Sequence, residues 1–332
     1  MLDDRKAAIL SAIVEEYIQT AQPVGSSHVV AATGIPVSSA TIRNDMAFLE
    51  REGFLAQPHT SAGRVPTEKG YRFFVDHLAQ PDLGSMESRT VRQFFDRAHT
   101  RLEEMLADTS RLLSSLTSYA GVVVAPQRES ATVRSVQVVG LGGRQAVVVV
   151  VLSDGAVDRY PLEIDPDVSD VDLGAGTARL SALLVGRPLA APVTVVATGN
   201  VVVDRLVDQV VGALHHDGTE AAGRMFVGGA ANVATSFDAM DTVRSILGVL
   251  EEQYVVVSLI RDIMDRGLRV AIGSETGVEP LAECSIVVAP YTVDGVAVGS
   301  IGVLGPTRMN YPQALAAVAV VSKRLGNRLS EG

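Results

Sequence analysis

Ser38, Ser39, Thr41, Arg43 and Asn44 crowd one short stretch, and His59, Thr60, Ser61 and Arg64 follow close behind it. No catalytic constellation is recognisable around this grouping, so covalent chemistry is not its expected use. Hydroxyls, an amide, an imidazole and two guanidinium groups are instead the partners that phosphate oxygens and base edges need. Arginine can fork onto guanine O6/N7 and asparagine onto adenine N6/N7, which makes Arg43 and Asn44 the candidate base readers.

Those side chains need a helix and a hairpin to present them, and the local sequence supplies both. Ser38 can cap a helix whose Ile42, Met46 and Leu49 recur at i, i+4 and i+7, leaving Ser39, Thr41, Arg43 and Asn44 on the other side. Gly53 stops that helix, Phe54 to Gln57 begins a strand, Pro58 to Gly63 forms a hairpin tip, and Arg64-Val65 leads back to a helix opened by Pro66 and Thr67. Upstream, residues 4–20 place Ile9, Leu10, Ile13, Val14, Tyr17 and Ile18 on a broad apolar face. Pro23-Val24-Gly25 breaks that helix, Ser26 or Ser27 caps a second, and Gly34 to Val37 connects it to Ser38. The order is that of a winged helix-turn-helix over residues 1–80, with His59, Thr60, Ser61 and Arg64 on the wing. A capped surface helix beside a tight hairpin would carry the same residue types; position after a helix-turn and before a wing favours DNA. Asp45, Glu50 and Glu52 read as solvated helix-face charges, and Lys69 and Arg72 as either phosphate contacts or a solvated face.

Charge opposes a non-specific DNA binder. The chain is −10 overall, and residues 1–78 hold seven Lys/Arg against nine Asp/Glu. Binding must therefore rest on a few placed contacts, doubled by dimerisation.

Beyond a linker at 81–85 the pattern is helical from Met86 to about Tyr119, then valine-rich and strand-like at 121–126, 133–139 and 145–152, with Asp154-Gly155 as a hairpin turn and a return strand to Ile164. Residues 165–224 differ in texture and read as an insertion of two helices. The host pattern resumes with helices from Phe237 to Arg266, strands at 268–272, 285–291 and 295–304 turned at Asp294-Gly295, and a closing helix opened by Pro312. The expectation is an α+β multidomain chain: the winged helix, a GAF-like α+β domain at 86–164 and 225–332, and an inserted domain at 165–224.

Enzyme readings find no support. Gly140-Leu-Gly-Gly-Arg144 and Gly174-Ala-Gly176 lack the third glycine of a dinucleotide loop, and neither a phosphate loop nor a Gly-x-Ser-x-Gly elbow is present. His215-His216-Asp217 would splay about 100° apart on a helix, so no metal, cofactor or catalytic residue is expected. One cysteine, Cys284, fits a reducing cytoplasm and reads as a buried small hydrophobe. No signal-like N-terminus or membrane-length apolar run occurs, so a cytoplasmic protein with no membrane partner is expected.

Four runs point further: Ser-Ser-Ala-Thr-Ile-Arg-Asn-Asp-Met at 38–46, Gln-Pro-His-Thr-Ser-Ala-Gly-Arg-Val-Pro-Thr at 57–67, Gly-Tyr-Arg at 70–72 and Ile-Gly-Val-Leu-Gly-Pro-Thr-Arg-Met-Asn-Tyr at 301–311. They resemble the heat-inducible transcription repressor family HrcA, over essentially the whole chain. The resemblance implies a homodimer, dimerised through the inserted domain, that binds an inverted-repeat operator (CIRCE) in double-stranded DNA and represses heat-shock chaperone operons. It also implies a chaperonin partner that keeps the repressor active. Two departures from the family pattern are His28, where many relatives carry a basic residue, and Ile-Gly-Ser-Glu-Thr-Gly at 272–277, which lacks the usual asparagine after the glutamate. Fold class alone leaves one alternative, a regulator gated by a small molecule bound in the GAF-like domain.

Overall fold

Local capping signals set the N-terminal elements. A computed structural model describes residues 2–33, 37–59, 62–78, 82–97, 101–126, 132–153, 157–189, 191–219, 224–237 and 239–330. Helix α1 (Asp4–Thr20) starts where the Asp3 carboxylate accepts the Lys6 N–H at 2.9 Å, and α2 (Ser26–Thr33) follows. Helix α3 (Ser39–Arg51) starts at Ser38, whose hydroxyl accepts the Thr41 N–H at 3.2 Å. It ends at Gly53 (φ 77°), where the Gly53 N–H donates to Glu50 O and the Phe54 N–H to Leu49 O, both at 2.9 Å. Only a residue at ease in the left-handed region closes a helix this way. Strands β1 (Leu55–Ala56) and β2 (Val65–Pro66) pair antiparallel, Val24 bridges to Arg64, and α4 (Glu68–Asp76) is capped by Thr67.

The expected long helix from Met86 is two helices, α5 (Ser85–Phe95) and α6 (Leu102–Thr117). Strand β3 (Ala120–Val124) comes next. The following strands, β4 (Val133–Gly142), β5 (Gln145–Leu152) and β6 (Val157–Glu163), form a separate three-stranded antiparallel sheet. Helices α7 (Asp170–Leu184) and α8 (Val201–Thr219) bury Leu173, Leu180, Leu184, Leu206, Val207 and Val210 with the inner valines of that sheet. Residues 126–224 thus make one compact unit, so the expected boundary at 165 is moved back to 126. Its valine strands have the same alternation as those of the other sheet, and alternation does not name the sheet a strand joins. The Asp154-Gly155 turn, like Thr60, Ser61 and Gly34 to Pro36, lies outside the described residues.

The other unit comprises residues 1–125 and 225–332. It adds β7 (Met225–Gly228), α9 (Ala231–Ser236), α10 (Met240–Glu251), α11 (Gln253–Asp265), β8 (Val270–Ile272), β9 (Cys284–Val293), β10 (Val296–Pro306) and α12 (Tyr311–Ser330). Its five strands run antiparallel in the order β7-β3-β10-β9-β8. Asp294 (φ 51°) and Gly295 (φ 82°) form the expected two-residue turn. Asn310 caps α12 by accepting the Gln313 N–H at 3.2 Å, and Arg308 donates to Ser236 O at 3.3 Å. One apolar cluster runs from Ile9, Ile13, Ile42 and Leu49 through Tyr71 and Phe95 to Val287, Ile301 and Val318. The N-terminal helices therefore share a core with the sheet.

Candidate nucleic-acid interface

Helix α3 is anchored by Ile42, Met46 and Leu49, all buried, so its orientation is set by packing and its opposite face is fixed in solvent. On that face Ser39, Ala40, Arg43, Asn44 and Arg51 are exposed. Among the described residues Arg43, Asn44 and Arg51 have no hydrogen-bond or ion-pair partner, so their donors are available to a ligand. The hydroxyls at the helix start are already in use: Ser38 Oγ lies 3.0 Å from Thr41 Oγ1, and Ser39 Oγ lies 2.9 Å from Ser26 Oγ, joining α3 to α2. At the hairpin His59 is exposed, its carbonyl accepts the Ala62 N–H at 2.9 Å, and Gln57 Nε2 donates to Ala62 O at 3.1 Å.

Electrostatics of the module differ from the sequence expectation in four places. Arg64 is not free to face a phosphate: its Nε donates to the Glu50 carboxylate at 2.9 Å, spanning hairpin and helix. Glu50 is accordingly paired rather than solvated. Asp45 is buried, not solvated, and takes Arg5 Nε at 2.9 Å and Arg5 Nη2 at 3.3 Å. That fork ties α1 to α3 and raises the Arg5 pKa further, first through the hydrogen bond to Asp45. Arg72 neither contacts solvent freely nor joins the α3 face: it is held by Glu275 and Val270 O. Lys69 donates to Glu52 O at 2.7 Å and lies 4.3 Å from the centre of the Phe54 ring. Asp3, Asp45, Glu50 and Asp76 are thus paired with cations inside the module, whereas α3 presents Arg43 and Arg51 without an ion-pair partner among the described residues.

A cleft of about 640 Å³ opens beside α4, lined by Val75, Leu78, Leu268, Ala289, Leu315 and Val318 with Arg72 and Arg269 at its polar side. Cys284 is fully buried, and burial pushes its thiol up to about 12, as expected of a packing residue. Among the described residues no cluster of His, Cys, Asp and Glu could hold a metal, and no helix is long and apolar enough to cross a membrane.

Comparison with known proteins bears on this arrangement. Residues 103–315 match the family model for the HrcA protein C terminal domain. The heat-inducible transcription repressor HrcA of Nocardia farcinica is 40% identical, covering 99% of this chain and 97% of that protein. The HrcA of Rhodococcus jostii is 38% identical, covering 99% of each chain.

The chain belongs to the HrcA family of heat-inducible transcription repressors.

A crystal structure of a hypothetical protein, 22% identical and matched over 100% of this chain and 99% of its own, has a TM-score of 0.63 and so shares the fold. Membership in the HrcA family agrees with the expected role in heat-shock transcription regulation. In this HrcA-family chain the sequence pointed to Arg43 and Asn44, which the structure leaves exposed and unpartnered, but not to Arg51, which stands with them. It also missed the partners of Arg64 and Arg72. A charge of opposite sign nearby in sequence, Glu50 on the neighbouring helix, was a signal for the first; Glu275 stands 203 positions from Arg72 and gave none.

Proposed function

We propose that this chain represses heat-shock chaperone operons by binding an inverted-repeat operator of the CIRCE type as a homodimer, each subunit placing α3 of a winged helix-turn-helix in a major groove. The observation that carries this reading is the unpartnered row Arg43, Asn44 and Arg51 on a helix whose neighbouring acids, Asp45 and Glu50, are already paired. Arg43 and Asn44 read base edges, while Arg51 and His59 contact the backbone; Thr60 and Ser61, outside the described residues, are assigned to DNA contact on the sequence alone. Ser38, Ser39 and Thr41 hold the helix start, and a hydroxyl proton not used within the module can be donated to a phosphate oxygen. Arg64 acts through Glu50 as a strut under the hairpin.

Support for a homodimer comes from residues 126–224. The outer face of the β4-β5-β6 sheet carries Val139, Val147, Val149, Val151 and Val157, of which Val139 and Val157 are 38% and 48% exposed. A valine face on an antiparallel sheet calls for a covering partner, and a second copy of the same face supplies one. The dimerising role expected of 165–224 is accordingly extended to the whole unit. The five-stranded sheet with its helices is read as the GAF-like domain, and the chaperonin as the partner that maintains activity on the strength of family membership.

The test is a footprint and gel shift on the chaperone promoters, with and without chaperonin. Protection of an inverted repeat, strengthened by chaperonin, is the expected result. Absence of protection in both conditions would sink the operator reading. A second reading, gating by a small molecule, is favoured by the cleft beside α4 with its apolar walls and with Arg72 and Arg269 at its polar side. It predicts that operator affinity responds to a low-molecular-weight metabolite extract in the absence of chaperonin, and an extract without effect removes it.

A further inference from the structure

Helix α4 follows β2 through Thr67, so whatever holds α4 also fixes where α3 and the hairpin point. Two contacts from α4 reach the same short turn of the sheet unit. Glu68 accepts the Ser274 N–H at 3.0 Å and the Ser274 hydroxyl at 2.5 Å. One turn along the helix, Arg72 donates through Nε to Glu275 at 2.9 Å, through Nη2 to the same carboxylate, and through Nη2 to Val270 O at 2.8 Å. Glu275 closes the ring by accepting the Ile272 N–H at 2.9 Å.

These contacts sit on a sheet edge. Among the described residues β8 has only β9 as a strand neighbour, and the Val288 N–H to Arg269 O bond sets the pairing so that Val270 O and Ile272 N point to the open side. Arg72 and Glu275 therefore occupy two of the backbone groups that β8 turns away from β9. Gly273 (φ 54°) lets the turn come this close, since a Cβ there would lie 2.0 Å from Glu68 Oε1. The remainder of the joint is less well satisfied. Tyr71 is buried with its ring 5.9 Å from that of Tyr311, yet its hydroxyl has no hydrogen-bond partner among the described residues. Burial pushes that hydroxyl's pKa up, so it stays a donor without an acceptor. Tyr311, by contrast, donates to Thr307 O at 2.6 Å and is bonded to Ser285 at 2.8 Å. An unpaired buried hydroxyl weakens the docked joint and leaves the ring of Arg72, Glu275, Glu68 and Ser274 as its polar lock.

We propose that Arg72 and Glu275, backed by Glu68 and Ser274, are positioning residues for operator binding, which lock α4 to the edge of the sheet and thereby fix the spacing and angle of the two α3 helices in the dimer. The inference rests on the operator reading above. No residue of the lock touches DNA; it acts by confining the module to one orientation, so that both recognition helices meet their half-sites without a search. The lock is distinct from the Arg5–Asp45 and Arg64–Glu50 pairs, which join elements within the module.

The test measures binding of the full-length protein to a series of operators whose half-site spacing is changed by one or two base pairs in either direction, and to a single half-site. The wild type, Arg72→Met, Arg72→Lys, Glu275→Gln and Gly273→Ala are compared. The wild type is expected to prefer one spacing sharply. Arg72→Met and Glu275→Gln are expected to lose affinity about tenfold at that spacing, to flatten the spacing profile, and to keep half-site affinity. Arg72→Lys retains the charge and should recover part of the preference. Gly273→Ala tests the joint without touching the ion pair and should flatten the profile in the same way. Variants that keep the wild-type profile, or that lose half-site affinity as much as full-site affinity, overturn the inference. A wild type that binds no inverted repeat overturns the operator reading itself, and this inference with it.

Discussion

Helices α3 and α4 are successive helices in the chain, and each carries two basic residues, but only one of them offers charge to a ligand. On α3, Arg43 and Arg51 are exposed and unpartnered among the described residues. On α4, Lys69 is committed to Glu52 O and the Phe54 ring, and Arg72 to Glu275. Counting basic residues therefore misjudges a module of net acidic charge: what matters is which cations remain after internal pairing. Helix α3 uses its apolar stripe to hold a polar face outward, whereas α4 uses its polar face for attachment.

The comparison is broken most directly at α3. Arg43→Ala and Asn44→Ala should each lose about 1–3 kcal/mol of operator binding, roughly 5- to 150-fold, with relaxed preference at the base each one reads. Thermal unfolding should not move, since neither side chain has an intramolecular partner. Gel-shift titration against operator variants checks this, and equal losses on every sequence would remove the base-reading role. At α4 the same kind of change should act on stability. Arg72→Met leaves Glu275 unpaired on a partly exposed joint and should destabilise the unit of residues 1–125 and 225–332 by about 1–2 kcal/mol in denaturant unfolding. A midpoint unchanged from wild type would mean the ion pair contributes nothing.

The contrast can also be sharpened by freeing a cation. Glu50→Gln releases Arg64, so operator affinity at low salt should rise about threefold and the slope of log K against log salt should steepen by about 0.9 per subunit. A slope that does not change would show that Arg64 cannot reach the duplex even when free. The smallest effect lies in residues 126–224. There Asp204 accepts the Thr198 N–H at 3.1 and 3.0 Å, its hydroxyl at 2.8 Å and the Gly199 N–H at 3.1 Å, and pairs with Arg179. The Thr198 backbone bond, followed by its hydroxyl and the Arg179 contact, lowers the Asp204 pKa from 3.8 to about 2. A depressed carboxylate contributes stability that is present above the unfolded pKa and is lost as pH falls through the folded one. Asp204→Asn should therefore unfold more easily than wild type at neutral pH, with the gap closing between about pH 4 and pH 2; a gap constant with pH would discount the carboxylate.

What could be read from the sequence was what is decided locally. Ser38, Gly53, Thr67 and Asp294-Gly295 mark their helix and hairpin boundaries because capping and turn chemistry involve residues three to five positions apart. The apolar stripe of α3 fixed its polar face, and with it Arg43 and Asn44. Pairing over long separations was hidden. Nothing around Arg72 announces Glu275, and Asp45 looked solvated because its partner Arg5 sits on another helix. The boundary at 165 failed for a similar reason: β4 to β6 alternate as β3, β9 and β10 do, and the choice of sheet is a tertiary one. The break between α5 and α6 was masked by apolar residues that kept a helical spacing on both sides.

The order of strands also dictates when this protein can fold. Strand β3 lies between β7 and β10, with Gly121 opposite Gly228 and Val123 opposite Ile301, so neither neighbour exists when β3 leaves the ribosome. At about 5–20 residues per second, the nascent sheet waits on the order of ten seconds or more for its central partner. Throughout that interval the valines of β3 and the apolar face of α6 lack the strands and the closing helix that cover them. Residues 126–224 can meanwhile complete their own meander of adjacent hairpins. The chain thus matures in two stages of unequal exposure, and its slower stage needs protection from association with other nascent chains.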